Sequence, residues 1–238
     1  MNNLASDTPD RSKVWDLSVR LFHWSIVMLV LLLWYTGEFG GLDIITTLPV
    51  YGDLYLSNMD VHAIAGQSVF VLVVFRILWG VWGSTTARFA HFVRSPAKVL
   101  AEAYELLSGK VSSSVGHNPL GGLMVVALLL LLAFQSITGM FSADDLFYEG
   151  PLTGLVDEQT IDKMSSLHHL SFSFLQVFII LHIVAIFYYL LRGNNLIRAM
   201  ISGKKKSGHT EQLTFSPWWL AVASFLTALG LLLLLKSL

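Results

Sequence analysis

Cysteine is missing from this chain altogether. Its absence excludes disulfides, thiolate ligation of a metal, iron–sulfur clusters and covalent cofactor attachment through C-x-x-C-H. Charge is scarce as well: 13% of the 238 residues are charged, against 54% hydrophobic. That balance places the chain among membrane proteins before any motif is read. There is no glycine-rich phosphate loop, no Ser/His/Asp set in a polar context and no nucleic-acid module. The net charge of −1 says little about partners; the distribution of charge says much more.

Five stretches reach the roughly 20 apolar residues that cross a bilayer. They run over residues 19–37, 61–82, 120–141, 166–191 and 217–236. The first follows a leader of mixed charge, lacks a small-residue cleavage site and contains His23, Trp24 and Trp34, so it reads as a span and not a signal peptide. Basic residues cluster in three segments: Arg11, Lys13 and Arg20; Arg88, Arg94, Lys98 and Lys110; Arg192, Arg198 and Lys204 to Lys206. The segments between are acidic, with Glu38, Asp43, Asp53 and Asp60 in one and Asp144, Asp145, Glu149, Asp157, Glu158 and Asp162 in the other. The positive-inside rule then sets the N-terminus in the cytoplasm, with the acidic loops and the end of the fifth span outside.

The expected organisation is a cytoplasmic leader (1–13), a four-helix unit (14–200), a basic linker (201–216) and a fifth transmembrane helix (217–238). The fold class is all-α integral membrane. Ser95 and Pro96 predict a helix start, Gly109 a stop. Val99, Leu100, Ala103, Tyr104, Leu106 and Leu107 would lay that helix on the inner membrane surface. Trp15, Trp24, Trp79, Trp82, Trp218 and Trp219 read as interface anchors. No internal repeat is evident.

Histidines carry the chemistry. His168 and His182 lie fourteen positions apart in one apolar span. Fourteen steps return to nearly the same helix face and rise about 21 Å. A titratable group inside a bilayer is costly and calls for a compensating partner. Topology supplies one at each depth: His62 at the level of His168 near the outer surface, and His23 at the level of His182 near the inner one. His169 points about 140° away from this column. Four inward histidines at two depths suit two bis-histidine b haems. Interhelical hydrogen bonding explains a lone membrane histidine equally well. Zinc or copper also takes imidazole, and proton relays use it together with intramembrane carboxylates, which these spans lack.

Other positions fit the ladder. Arg76 follows His62 by fourteen residues and would meet a haem propionate at the inner level. Gly37, fourteen after His23, and Gly66, one turn beyond His62, would let a flat macrocycle approach the backbone. His91 and His209 read as solvated loop residues. His117, just before Asn118 and Pro119, reads first as part of a helix cap.

These residues resemble the bacterial cytochrome b561 family of di-haem membrane cytochromes, which is similar to the b subunits of nickel–iron hydrogenases and formate dehydrogenases. The matching stretches are VWDLSVRLFHW (14–24), HAIAG (62–66), FRILWGVWGSTTARFAHF (75–92), GHNPLGG (116–122) and the span from His168 to His182. The resemblance implies a four-helix bundle holding two b haems on His23, His62, His168 and His182. It implies electron transfer between membrane quinone and a periplasmic cytochrome c or dehydrogenase subunit. It also implies a quinone site at the inner haem, onto which His117 and Asn118 fall by position. The fifth helix lies outside that pattern. An iron held by two imidazoles has no open position and favours electron transfer over oxygen chemistry. The reading is therefore an electron-transfer subunit rather than a free-standing enzyme; the alternatives are a self-contained superoxide:quinone oxidoreductase and a haem-free membrane protein.

Overall fold

In a computed structural model of the chain, residues 11–48, 52–109, 114, 116–144, 148–206 and 212–238 are described. Asp145, Lys110 and His209 lie outside them. The helices are α1 (Leu17–Glu38), α2 (Asn58–Trp82), α3 (Phe89–Phe92), α4 (Pro96–Leu107), α5 (Pro119–Met140), α6 (Glu158–Leu191), α7 (Leu196–Ser202) and α8 (Trp218–Lys236). Five of them, α1, α2, α5, α6 and α8, are long and apolar enough to cross a membrane. They match the five expected spans in number and order, α6 alone starting well ahead of its own.

Side-chain caps decide where the long helices begin. Asp16 Oδ1 accepts the Val19 N–H at 2.7 Å ahead of α1. Ser57 and Asp60 form a reciprocal capping box on α2. Asn118 Oδ1 accepts the Gly121 N–H at 2.8 Å, with Pro119 opening α5. Asp157 accepts from Thr160 at 2.9 Å and starts α6 eight residues before its apolar run. At 34 residues α6 is about 51 Å long, well beyond the ~30 Å hydrocarbon layer. Hydropathy sees only the apolar part of such a helix, which is why the expected span was shorter.

α2 stands at the centre, packed against α1, α5 and α8, while α5 also carries α6 and α4. α6 makes its extensive backbone contacts with α5, not with α1 or α2. Val69 and Val73 of α2 meet Leu132 of α5 and Leu175 of α6 in the interior. Large apolar residues such as Met28, Leu31, Leu130 and Ile180 face outward, as expected where the surroundings are lipid and helix association depends on packing.

The two ends of the bundle differ in charge. At the acidic end, strands β2 (Ile44–Leu48) and β3 (Gly52–Leu56) pair in the α1–α2 connection, and the α5–α6 connection carries Asp144 and Glu149. At the basic end, β1 (Arg11–Lys13) pairs antiparallel with β4 (Lys204–Lys206). The leader and linker, expected as separate polar segments, thus meet in one ribbon. Val14 N–H also bonds the Gly203 carbonyl at 2.8 Å.

α4 starts at Ser95–Pro96 and is followed by Gly109 at φ +79°, as the sequence predicts. Its buried Glu102 accepts from Asn118 Nδ2 at 2.8 Å, and Tyr188 Oη donates to the Leu106 carbonyl at 3.1 Å. Leu100, Tyr104 and Leu107 remain exposed. α8 is tied to α2 by Trp82 Nε1 donating to Ser224 Oγ at 3.0 Å and by Lys236 Nζ donating to Gln67 Oε1 at 3.0 Å.

The expectation for the tryptophans needs one correction. Trp218 and Trp219 are exposed, but Trp79 is 1% exposed and Trp15 is buried. Trp79 turns inward because its Nε1–H donates to Asp16 Oδ2 at 3.0 Å, so the carboxylate that caps α1 also anchors α2.

Candidate functional site

At the acidic end, the structure brings His62 of α2 and His168 of α6 together edge to face, ring centroids 6.4 Å apart and planes at 74°. His169 is exposed beside them. The two rings line a cavity of about 300 Å³ together with Gly37, Gly66, Gln135, Gly139 and Phe172. Each ring is held by a neighbouring helix. Thr36 Oγ1 of α1 lies 2.8 Å from His62 Nδ1. On the other side, the Gln135 carbonyl of α5 lies 3.0 Å from His168 Nδ1, with Thr138 Oγ1 at 3.3 Å. Gln135 Nε2 stands 3.1 Å from His168 Nε2, and its Oε1 accepts a hydrogen bond from Ser171.

Glycine serves the rings more directly than expected. A Cβ on Gly37 would lie 3.3 Å from His62 Cε1, and one on Gly139 would lie 2.9 Å from His168 Cε1. Both glycines therefore admit an imidazole as well as lining the cavity. Gly66 is looser, its nearest neighbour being Leu33 at 3.9 Å.

Thr36, Gln135, Thr138 and Gly139 were not found by sequence reasoning. The signal was present as a repeated dipeptide: Thr36-Gly37 ends α1 before His62 begins its work on α2, and Thr138-Gly139 ends α5 before His168 on α6. It is too short to register as a repeat, and only the packing of each hairpin gives it meaning.

At the basic end lie His23 of α1 and His182 of α6, with His182 within electrostatic range of His23 and of His117. Arg76, fourteen residues after His62, is 2% exposed. Its guanidinium lies over Phe89 and Phe92, 5.4 and 5.9 Å from their centroids. His117 packs between Trp15 and Phe92, at 4.6 and 4.8 Å. Its pKa is pushed down to about 3, chiefly by burial and then by Arg76 and other cationic neighbours, so the ring is neutral at physiological pH. Capping is left to Asn118.

His23 Nδ1, Arg76 Nη1 and His117 Nδ1 are all buried without a hydrogen-bond partner. Buried polar groups are nearly always satisfied, so such a group asks for a ligand. Asn118 shows the opposite condition. Besides its cap and its bond to Glu102, its Nδ2 donates to Tyr189 Oη at 2.5 Å, and the whole amide is engaged in the fold.

The residues fit a b-type haem. Among the described residues no group of three or more His, Asp or Glu could hold a metal ion by itself, which disfavours zinc and suits a macrocycle that brings its own four equatorial nitrogens. A ring separation of 6.4 Å accommodates one metal with bonds of about 2 Å on either side. The Arg76 guanidinium at the basic end, its Nη1 buried without a hydrogen-bond partner, suits an anionic propionate.

Comparison with known proteins points the same way. The family model described as prokaryotic cytochrome b561 matches residues 14–203. A protein of Rhizobium leguminosarum bv. viciae is 29% identical over 209 residues, covering 81% of this chain and 87% of its own, and is named a probable Ni/Fe-hydrogenase B-type cytochrome subunit. One from Bradyrhizobium diazoefficiens, with the same name, is 28% identical over 81% of this chain and 85% of its own. A third, from Escherichia coli strain K12, named a probable Ni/Fe-hydrogenase 1 B-type cytochrome subunit, is 29% identical over 56% of this chain and 61% of its own.

Proposed function

The chain belongs to the prokaryotic cytochrome b561 family, and from that premise we propose that it passes electrons through two b haems between the membrane quinone pool and a redox partner outside the membrane. As a family member it is a multi-pass membrane b-type cytochrome of electron transport. The observation that carries the finer reading is the His62–His168 pair, facing across the bundle with each Nδ1 engaged by the adjacent helix.

In this reading His62 and His168 hold the haem at the acidic end, while His23 and His182 hold the one at the basic end. Each haem, when bound, supplies a one-electron couple with no open iron position. The chain's own work is to fix the two pairs about 21 Å apart along α6 and to compensate charge at each level. Arg76 pairs with a propionate of the basic-end haem. His117, neutral and with Nδ1 unpartnered, faces a quinone head at the same level; Asn118 supports that site by holding α4 and α6 together.

In this reading the basic end is cytoplasmic, as the positive-inside rule favours, and the family's prokaryotic setting makes the membrane a bacterial inner membrane with the acidic end periplasmic. Residues 14–200 form the di-haem unit, and the fifth helix, packed on α2, extends it. The relatives' names support a hydrogenase-type catalytic subunit as the partner; a periplasmic cytochrome c or another dehydrogenase subunit is the broader form of the same proposal. A self-contained superoxide:quinone oxidoreductase has no such support.

Pyridine haemochrome analysis against protein mass tests the reading. Two non-covalent haems per chain are expected; a folded preparation with none, or with one alone, would end it. Quinone-site inhibitors should bind His117→Phe less tightly at full haem content, and unchanged affinity would remove the quinone from the basic end.

A further inference from the structure

The two Thr–Gly dipeptides bear on the haem potential. We infer that Thr36 and Thr138 are positioning residues that fix the protons of His62 and His168 on Nδ1 and thereby lower the potential of the acidic-end haem. The inference rests on the proposal that these histidines ligate iron.

A threonine hydroxyl has a single proton. That of Thr36 is directed to the Leu32 carbonyl in its own helix, at 2.9 Å. The oxygen can then only accept at His62 Nδ1, 2.8 Å away, so that nitrogen carries the ring proton. Thr138 repeats the arrangement: it donates to the Phe134 carbonyl at 2.9 Å and offers its oxygen to His168 Nδ1 at 3.3 Å. There the Gln135 carbonyl, which can only accept, lies closer at 3.0 Å. An independent contact agrees: Gln135 Nε2, a donor, meets His168 Nε2, which must therefore present its lone pair.

Both rings are thus held as Nδ1–H tautomers with the Nε2 lone pair presented for a metal; on His168 that lone pair meets Gln135 Nε2, which would give way to iron. The glycine after each threonine leaves room for the ring, since a Cβ there would lie only 3.3 or 2.9 Å from its Cε1, so the dipeptide acts as a unit in which one residue sets the proton and the next sets the position. An acceptor on the outer N–H of a ligand imidazole makes the ligand more basic. A more basic ligand favours ferric over ferrous iron, so removing the acceptor should raise the potential.

The test is redox titration and ferric EPR of purified full-length protein carrying Thr36→Val, Thr36→Ser or Thr138→Val. Thr36→Val should move the acidic-end component toward the reduced form by up to tenfold, about 59 mV for a one-electron couple, without moving the other. Thr36→Ser should restore the original value. Thr138→Val should shift it less, since the Gln135 carbonyl remains. A Thr36→Val protein with full haem and an unmoved potential overturns the inference, as does a Thr138→Val shift as large as that of Thr36→Val. If Thr36→Val loses the haem, retention in Thr36→Ser supports the hydroxyl's role, whereas loss in both reduces Thr36 to packing and overturns it. His62→Ala separates the two levels: retention of the acidic-end haem there would end the ligand reading itself, whatever the threonines do.

Discussion

At the acidic end, two imidazoles face each other with their Nδ1 atoms already bonded to α1 and α5. At the basic end, His23 Nδ1, Arg76 Nη1 and His117 Nδ1 are buried with nothing to bond. Leaving such a group unsatisfied costs roughly 1–3 kcal/mol. The chain therefore preorganises one level and leaves the other to be completed by what binds there. Ligand binding to the folded state should stabilise the whole protein, and more of that stabilisation should come from the basic-end site.

Deleting ligands breaks the comparison most severely. His168→Ala should remove the acidic-end haem and His182→Ala the basic-end haem, each leaving one redox component, while His169→Ala keeps both. Spectral titration of the three variants checks this. Loss of haem in His169→Ala and not in His168→Ala would shift the column by one residue. Thermal unfolding of the two single-haem proteins should place His182→Ala below His168→Ala.

A charge deletion comes next. In Arg76→Met the guanidinium disappears, with its unbonded Nη1 and its place over Phe89 and Phe92, while Asp16 keeps its bonds from Val19 and Trp79. The haem-free protein should lose little stability. The basic-end haem should bind roughly 10- to 100-fold more weakly, the equivalent of ~1.5–3 kcal/mol for one hydrogen bond to a charged group. Haem retention on washing, measured component by component, tests it. Equal weakening at both levels would show that Arg76 serves the fold and not a propionate.

Acid sharpens the contrast at His117. Its folded pKa of about 3 lies below the ordinary value of 6.5. The unfolded chain thus binds a proton in that interval that the folded one refuses. Stability from this residue is complete above pH 6.5 and is lost as pH falls toward 3. His117→Phe should flatten the fall in melting temperature across that window by about one proton's worth. An unchanged slope would mean the ring is not kept neutral.

Much of this arrangement is legible in the sequence, for physical reasons. Spans follow from hydropathy, and their alternating direction sets the depth of each histidine, so His62 and His168 meet at the end where topology puts them. Asn118-Pro119 and Ser95-Pro96 start helices because capping is local chemistry. What escapes is whatever depends on a neighbour. Trp79 looks like an interface anchor until Asp16, 63 positions away, takes its N–H. Thr36 and Thr138 look like ordinary helix residues until a ring from the next helix leans on them. The polar first turns of α6 are invisible to hydropathy, although Asp157 marks their start.

The smallest effect lies on the surface of the acidic end. Asp144 and Glu149 belong to the α5–α6 connection, which pairs as a bridge between Ala143 and Glu149, and Asp144 Oδ1 also accepts the Tyr148 N–H at 2.8 Å. Asp144 and Tyr148 line the cavity that holds His62 and His168, so acidic surface comes close to that level. A basic periplasmic partner would be steered there by charge, an effect on encounter rate that fades with salt. Neutralising Glu149 with Asp53 to Gln and Asn, which spares the Asp144–Tyr148 contact, should slow partner reduction by roughly two- to fivefold at low salt. It should change nothing at high salt, and the haem spectra and potentials should stay as they are. Stopped-flow reduction of a basic cytochrome c across ionic strength provides the measurement. A rate that stays constant at every salt concentration would place the partner elsewhere; a rate that falls equally at high and low salt would mean the two carboxylates make contacts in the bound complex and do not act at a distance.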